Sequence, residues 1–201
     1  WNKGYKTGNV TRIEYTPIAS NATRTAALLS GQVDLVIDPP TQDIARLEKS
    51  PDVTVRTGTE NRVVLLTLDQ FTDQPKFVQV PGKNNVNPFK DKRVRQALYE
   101  AIDIKAIQRA VMRGRSVPTG TIIASSINGW TPDLAKRYPY NPQHAKQLLK
   151  EAGYPNGFSF TIDTPNNRWI NDEAITKAIA SMWSKIGLTA VSYTHLRAHE
   201  T

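Results

Sequence analysis

A chain of 201 residues with 26 Lys and Arg against 18 Asp and Glu, 13 prolines, three histidines and no cysteine is long enough for one large domain or two small lobes, and at 39% hydrophobic and 22% charged it is neither low-complexity nor disordered in composition. The lack of Cys excludes a disulfide framework, a zinc ribbon and thiolate catalysis, yet it fits a secreted protein as well as a cytosolic one. The longest apolar run, Val63 to Leu66, is too short for a membrane span, and the start at Trp1 has neither an initiator Met nor the pattern of a signal peptide, so the chain reads as an excised segment.

In chain order, residues 10–16 alternate as a strand that ends near Pro17. Asn21 is placed to cap a short helix over residues 22–30, with Gly31 as its stop. The apolar run 33–37, closed by Asp38-Pro39-Pro40, has the length of a buried strand, and a helix followed by such a strand points to an α/β lobe. Thr41 is placed to cap a helix carrying Ile44 and Leu47, and residues 53–55 and 62–68 read as further strands. From Gln70 to Asn87 the chain turns polar, and a boundary between lobes is expected there. Beyond it, Asp91 precedes Val94, Ala97, Leu98, Ala101 and Ile102, the spacing of one apolar helix face. Asp103 is expected to cap a second helix through Ile107 and Val111 to Gly114. Asn141-Pro142 opens a helix through Ala145, Leu148 and Leu149 to Gly153, since Asn caps well and Pro suits the first helical position. A strand over 158–162, a helix from Asp172 with Ile175, Ala178, Ile179, Met182 and Trp183 inward, and a strand start at 188–190 complete the order.

Charge is uneven: residues 1–78 hold nine basic and nine acidic side chains, residues 79–190 sixteen and eight. The densest basic stretch, Lys90 to Arg115, makes nucleic acid or an anionic membrane a possible partner, although it lacks interleaved stacking aromatics, and a solvated helix surface is what such runs ordinarily mean. Catalytic constellations are scarce. His195 and His199 have the spacing that lets a helix present two imidazoles to zinc, but no glutamate adjoins the first as a general base. Residues 191–201 also look like the translation of a transposase sequencing-library adaptor, a non-native tail to be kept out of fold reasoning. His144 sits in a first helical turn and reads as an exposed helix residue. Asp34, Asp38 and Asp69 stand at strand ends without a local acid/base partner, which suits them to binding a cation or to serving a turn.

The segment Asn87-Pro-Phe-Lys-Asp-Lys-Arg-Val-Arg-Gln-Ala-Leu-Tyr-Glu-Ala-Ile-Asp103 resembles family 5 extracellular solute-binding proteins, the peptide- and nickel-type receptors of ABC importers. Stretches 29–35, 140–154 and 179–188 agree with that family in order and spacing. The resemblance implies an α/β, two-lobed periplasmic-binding-protein-like type II fold, truncated here to a late part of lobe I (1–78) and the first part of lobe II (79–190), with 191–201 as the adaptor-like tail. It implies capture of oligo- or dipeptides for a membrane permease, with no enzymatic activity, no cofactor, no metal and no nucleic acid, by a protein that is a monomer when full length. The place would be the periplasm or a lipid anchor outside the cell, with the signal peptide beyond this segment. Relatives usually carry Asn at the end of the strand before the polar excursion. Asp69, followed by Gln70, holds that place here, and Asp38 is expected to face the same crevice, because ligands gather beyond the carboxyl ends of strands. Two other readings stay open: a basic nucleic-acid module built on the Lys90–Arg115 helices, and a receptor of the same family for a nickel chelate, haem or sugar.

Overall fold

The computed structural model describes residues 10–165 and 168–195, and the chain divides into two compact units, Trp1–Val55 and Arg56–Thr201.

The first unit is built on α1 (Asn21–Leu29) and α2 (Ile44–Leu47). Ser20, one residue ahead of the expected Asn21, caps α1 by accepting from the Thr23 N–H at 3.3 Å. Asp43, two residues after the expected Thr41, precedes α2 and accepts from the Thr25 hydroxyl at 3.1 Å. Ala27, Ile44 and Leu47 are buried. The expected strands at 10–16, 33–37 and 53–55 are irregular segments, and so is 62–68 in the second unit. A strand is completed only by a neighbour that takes its N–H and C=O groups, and none of the four has one among the described residues. Their apolar side chains are uncovered as a result: Ile13, Tyr15, Leu35, Ile37, Val64 and Leu65 are all half exposed or more.

The second unit carries β1 (Val78–Gln79), α3 (Lys92–Glu100), α4 (Ile104–Ala106), α5 (Pro142–Glu151), β2 (Ser159–Pro165), α6 (Asp172–Ser184) and β3 (Thr189–His195). The sheet order is β1-β2-β3, with β1 antiparallel to β2 through Val78↔Phe160 and β3 parallel to β2 from Ser159↔Thr189 onward. Strand β2 alternates as a half-buried strand should, burying Phe160, Ile162 and Thr164. Phe89, Phe158, Phe160 and Trp183 form the centre of the core, with ring centroids 5.3 Å apart for Phe89–Phe160 and 5.4 Å for Phe160–Trp183.

Helix α3 shows why this half of the sequence is so legible. Val94, Ala97, Leu98 and Ala101 are all within 2% of full burial, as the spacing requires. Asp91 caps the start, accepting from the Arg93 N–H at 2.8 Å, and hydrogen bonding from the Arg93 side chain holds its carboxyl below the usual carboxylate range. At the other end, the last four carbonyls of a helix lack intrahelical donors. Here Ala97 receives the Ala101 N–H, Leu98 the Trp183 indole N–H at 2.8 Å, Tyr99 the Ile102 N–H, and Glu100 the Asn141 N–H at 2.9 Å. Each of those bonds ties α3 to its next turn, to α6 or to α5.

The expected helix from Asp103 to Gly114 is capped as foreseen, by the Ala106 N–H on the Asp103 carboxylate at 2.9 Å. It is short, however, and passes into a π-helical turn over Ile107–Val111, closed by the Met112 N–H on the Ile107 carbonyl. Helix α5 begins at Pro142 under an Asn141 cap, whose side chain accepts from the His144 N–H at 2.9 Å. It ends in a Schellman turn at Gly153, where φ is +87° and the Tyr154 N–H reaches the Leu149 carbonyl. Replacing Asn141 with Ala is expected to cost about 1 kcal/mol, read as a lower urea midpoint at unchanged m-value.

Candidate functional site

Asp69 and Gln70 open a tight turn in the second unit, at the end of the apolar segment 62–68. The Asp69 carboxylate accepts from the Phe71 and Thr72 N–H groups, both at 3.0 Å. Hydrogen bonds from Thr72, with smaller contributions from the Phe71 N–H and the Lys90 cation, hold the carboxyl below the usual carboxylate range. The group is therefore an anion at neutral pH, and it remains exposed to solvent. Gln70 is exposed beside it.

Asp38 belongs to the first unit. It is exposed, has a positive φ of 53°, and its carbonyl accepts from Arg24 at 3.3 Å, so the backbone here serves the turn before Pro39-Pro40. Asp69 and Gln70 thus share one turn, and Asp38 lies in the other unit.

Two arrangements escape sequence reasoning. Asn87 is buried and its side chain bonds to both ends of the Asp69 turn: the amide nitrogen donates to the carbonyls of Asp69 at 2.8 Å and Thr72 at 2.7 Å, while Oδ1 accepts from the Phe89 N–H at 2.9 Å. The one local signal is Asn immediately before Pro88, the pattern of a helix cap. The second is a pair of titratable groups across α3 and α5. Glu100 is 3% exposed and accepts from Gln96 at 2.7 Å, with His144 Nδ1 at 2.6 Å from its other oxygen. His144 is half-exposed and tied to a buried carboxylate, whereas its place in a first helical turn indicates plain exposure.

The start of the basic stretch is occupied with holding local structure. Lys90 pairs with Asp73, Arg93 with Asp91, and Arg95 donates to the carbonyls of Phe89 and Lys90. Two depressions open on this unit, one of about 220 Å³ beside Lys146 and Lys185 and one of about 450 Å³ at the start of β2 and β3; neither is lined by Asp69 or Gln70. His195 closes β3, where helical spacing does not apply, and His199 lies outside the described residues. Among the described residues no helix is long and apolar enough to cross a membrane.

Residues 1–192 match the family described as bacterial extracellular solute-binding proteins, family 5 Middle. The heme-binding protein A of Haemophilus influenzae is 30% identical over 186 residues, covering 88% of this chain and 30% of its own length. The glutathione-binding protein GsiB of Escherichia coli is 31% identical over 157 residues, covering 77% and 27%. A dipeptide binding protein from a Pseudoalteromonas species, solved in complex with Met-Leu, superposes with a TM-score of 0.68 and 26% identity over 88% of this chain and 32% of that one. The chain spans about 30% of the length of these relatives. The fold is the α/β, type II periplasmic-binding-protein fold, of which the chain carries a part. The match runs through the segment from Asn87 to Asp103, which builds α3 and its cap, and by it the chain belongs to the family 5 bacterial extracellular solute-binding proteins.

Proposed function

We propose that the chain is part of the receptor of an ABC importer, which captures oligo- or dipeptides outside the cytoplasm and hands them to a membrane permease. Membership of an extracellular solute-binding family carries this reading, and the likeness to a receptor solved with Met-Leu favours a peptide as the solute. Residues 1–78 and 79–190 then belong to two lobes that close on the ligand, in a protein that is a monomer, with its export signal or lipid anchor elsewhere in the full-length polypeptide. Residues 191–201 then read as an adaptor-encoded tail, the first five of which extend β3 alongside β2.

The chemistry of the Asp69 turn suits a peptide. An exposed carboxylate that stays ionised pairs with a peptide ammonium, a charge-assisted bond stronger than a neutral one, and the Gln70 amide beside it has a donor and an acceptor for main-chain groups. Asp38, in the first unit, is a carboxylate of the same kind. No chemistry on the ligand is required, in keeping with a family of binding proteins.

The test uses the full-length receptor and native mass spectrometry with Met-Leu, glutathione and haem. A peptide is expected to bind, and Asp69→Ala is expected to weaken it about tenfold, the worth of one charge-assisted hydrogen bond. The relative from Haemophilus gives haem a specific claim as the rival ligand. Haem bound with no peptide would overturn the peptide reading and leave the receptor class in place.

A further inference from the structure

We propose that Asn87 is a positioning residue for ligand capture: its buried side chain clasps the Asp69–Thr72 turn and so fixes the backbone that carries the Asp69 carboxylate and Phe71. This rests on the reading of the Asp69 turn as a ligand contact.

The amide of Asn87 has only one orientation that satisfies its neighbours. Both groups facing its nitrogen are carbonyls, which can only accept, and the group facing its oxygen is the Phe89 N–H, which can only donate. Three of its hydrogen-bonding positions are therefore used at 7% exposure, where an unmade bond is costly. Its two donated bonds land on the first and last residues of the turn. The Asp69 carboxylate then closes the same turn from within, through the Phe71 and Thr72 N–H groups. The other tie on this stretch, Lys90 to Asp73, has an Asp side chain 87% exposed, and an exposed ion pair of that kind holds little. Asn87 is accordingly the restraint that ties the turn to the buried start of the next helical segment.

What the clasp holds out is informative. Phe71 is 94% exposed at the tip of a turn pinned by hydrogen bonds from Asn87 and to the Asp69 carboxylate, so a large apolar side chain is presented by ordered backbone. An aromatic side chain and an anion carried two residues apart on one ordered turn are a complement for a short peptide, with its ammonium on Asp69 and an apolar side chain on Phe71. Holding the backbone of both residues in place before the ligand arrives spares that part of the ordering cost at binding.

The experiment uses the full-length receptor with the variants Asn87→Asp and Asn87→Ala. Asn87→Asp keeps an oxygen for the Phe89 N–H and removes both donors, which separates the clasp from the cap. Amide exchange at Phe71 and Thr72 is expected to speed up about tenfold or more in both variants, with α3 unchanged, from the loss of two hydrogen bonds. Met-Leu, followed by calorimetry, is expected to bind about tenfold more weakly. Asn141→Ala, a cap in the same unit, serves as the control for general destabilisation and is expected to move neither readout. In an Asp69→Ala background the Asn87 variants should add little further loss of binding, because both act through one turn.

The failures are distinguishable. Unchanged exchange at Phe71 and Thr72 overturns the clasp. Faster exchange with full Met-Leu affinity overturns the role in capture. Equal effects from Asn141→Ala reduce Asn87 to a general structural residue and overturn the positioning role. A wild-type receptor that takes haem and ignores Met-Leu removes the peptide reading itself, while the exchange result still decides the clasp.

Discussion

Trp183→Ala is expected to destabilise the second unit by about 3–5 kcal/mol, the range for deleting a large buried aromatic. That is a large share of the stability an ordinary domain has to lose. The indole is 2% exposed, packs on Phe160 and donates to the Leu98 carbonyl at 2.8 Å, so one side chain joins α6 to both the sheet and α3. Trp183→Phe separates the two contributions. It keeps an aromatic ring in the core and leaves the Leu98 carbonyl without its donor, for an expected loss of about 1–3 kcal/mol. Urea unfolding of both variants measures the difference. Equal losses would show that packing accounts for nothing beyond the hydrogen bond.

The second large effect concerns a residue with no side chain. Gly157 has a φ of +68°, and a Cβ placed there would lie 1.8 Å from the Gly187 carbonyl oxygen and 2.6 Å from its carbon. The obstacle is backbone on the turn that leads into β3, so it cannot rotate away as a side chain does. Gly157→Ala is expected to cost about 3 kcal/mol or more, the left-handed penalty plus that of forcing two backbone segments apart. Gly114 is the control: its φ is +78° and a Cβ would meet nothing within 4 Å, so Gly114→Ala carries the backbone penalty alone, about 1–2 kcal/mol. Matching melting temperatures for the two variants would rule out the close approach as the cause.

Legibility divides along the chain for a physical reason. Helices α3, α5 and α6 are read correctly because a helix satisfies its own backbone and announces itself by apolar spacing, a cap such as Asp91 or Asn141, and a stop such as Gly153. Strand β2 is legible too, since its neighbours β1 and β3 lie within the same unit. Segments 10–16, 33–37, 53–55 and 62–68 have patterns that fit a strand, but a pattern does not provide a neighbour, and they remain irregular here. The π-helical turn at 107–111 has no period of its own to betray it in a sequence that otherwise continues as helix. For the candidate site, Asp69 and Gln70 are suggested by the family resemblance, and the clasp by Asn87 is not, because a side chain bonding to carbonyls 18 and 15 residues away leaves no spacing signal.

The two seams of the sheet differ in how much chain must be gathered to make them. Strands β2 and β3 are connected through α6 alone, whereas β1 meets Phe160 across everything from α3 to α5. Closing a longer loop costs more entropy, and distant pairings are the slow steps of folding. The β2-α6-β3 seam is therefore expected to form early and the β1 seam late, so the stretch of backbone between Asp69 and Asn87 is among the last to be laid down. A receptor caught midway through folding would have a closed core around Trp183 before it had the turn that presents Phe71.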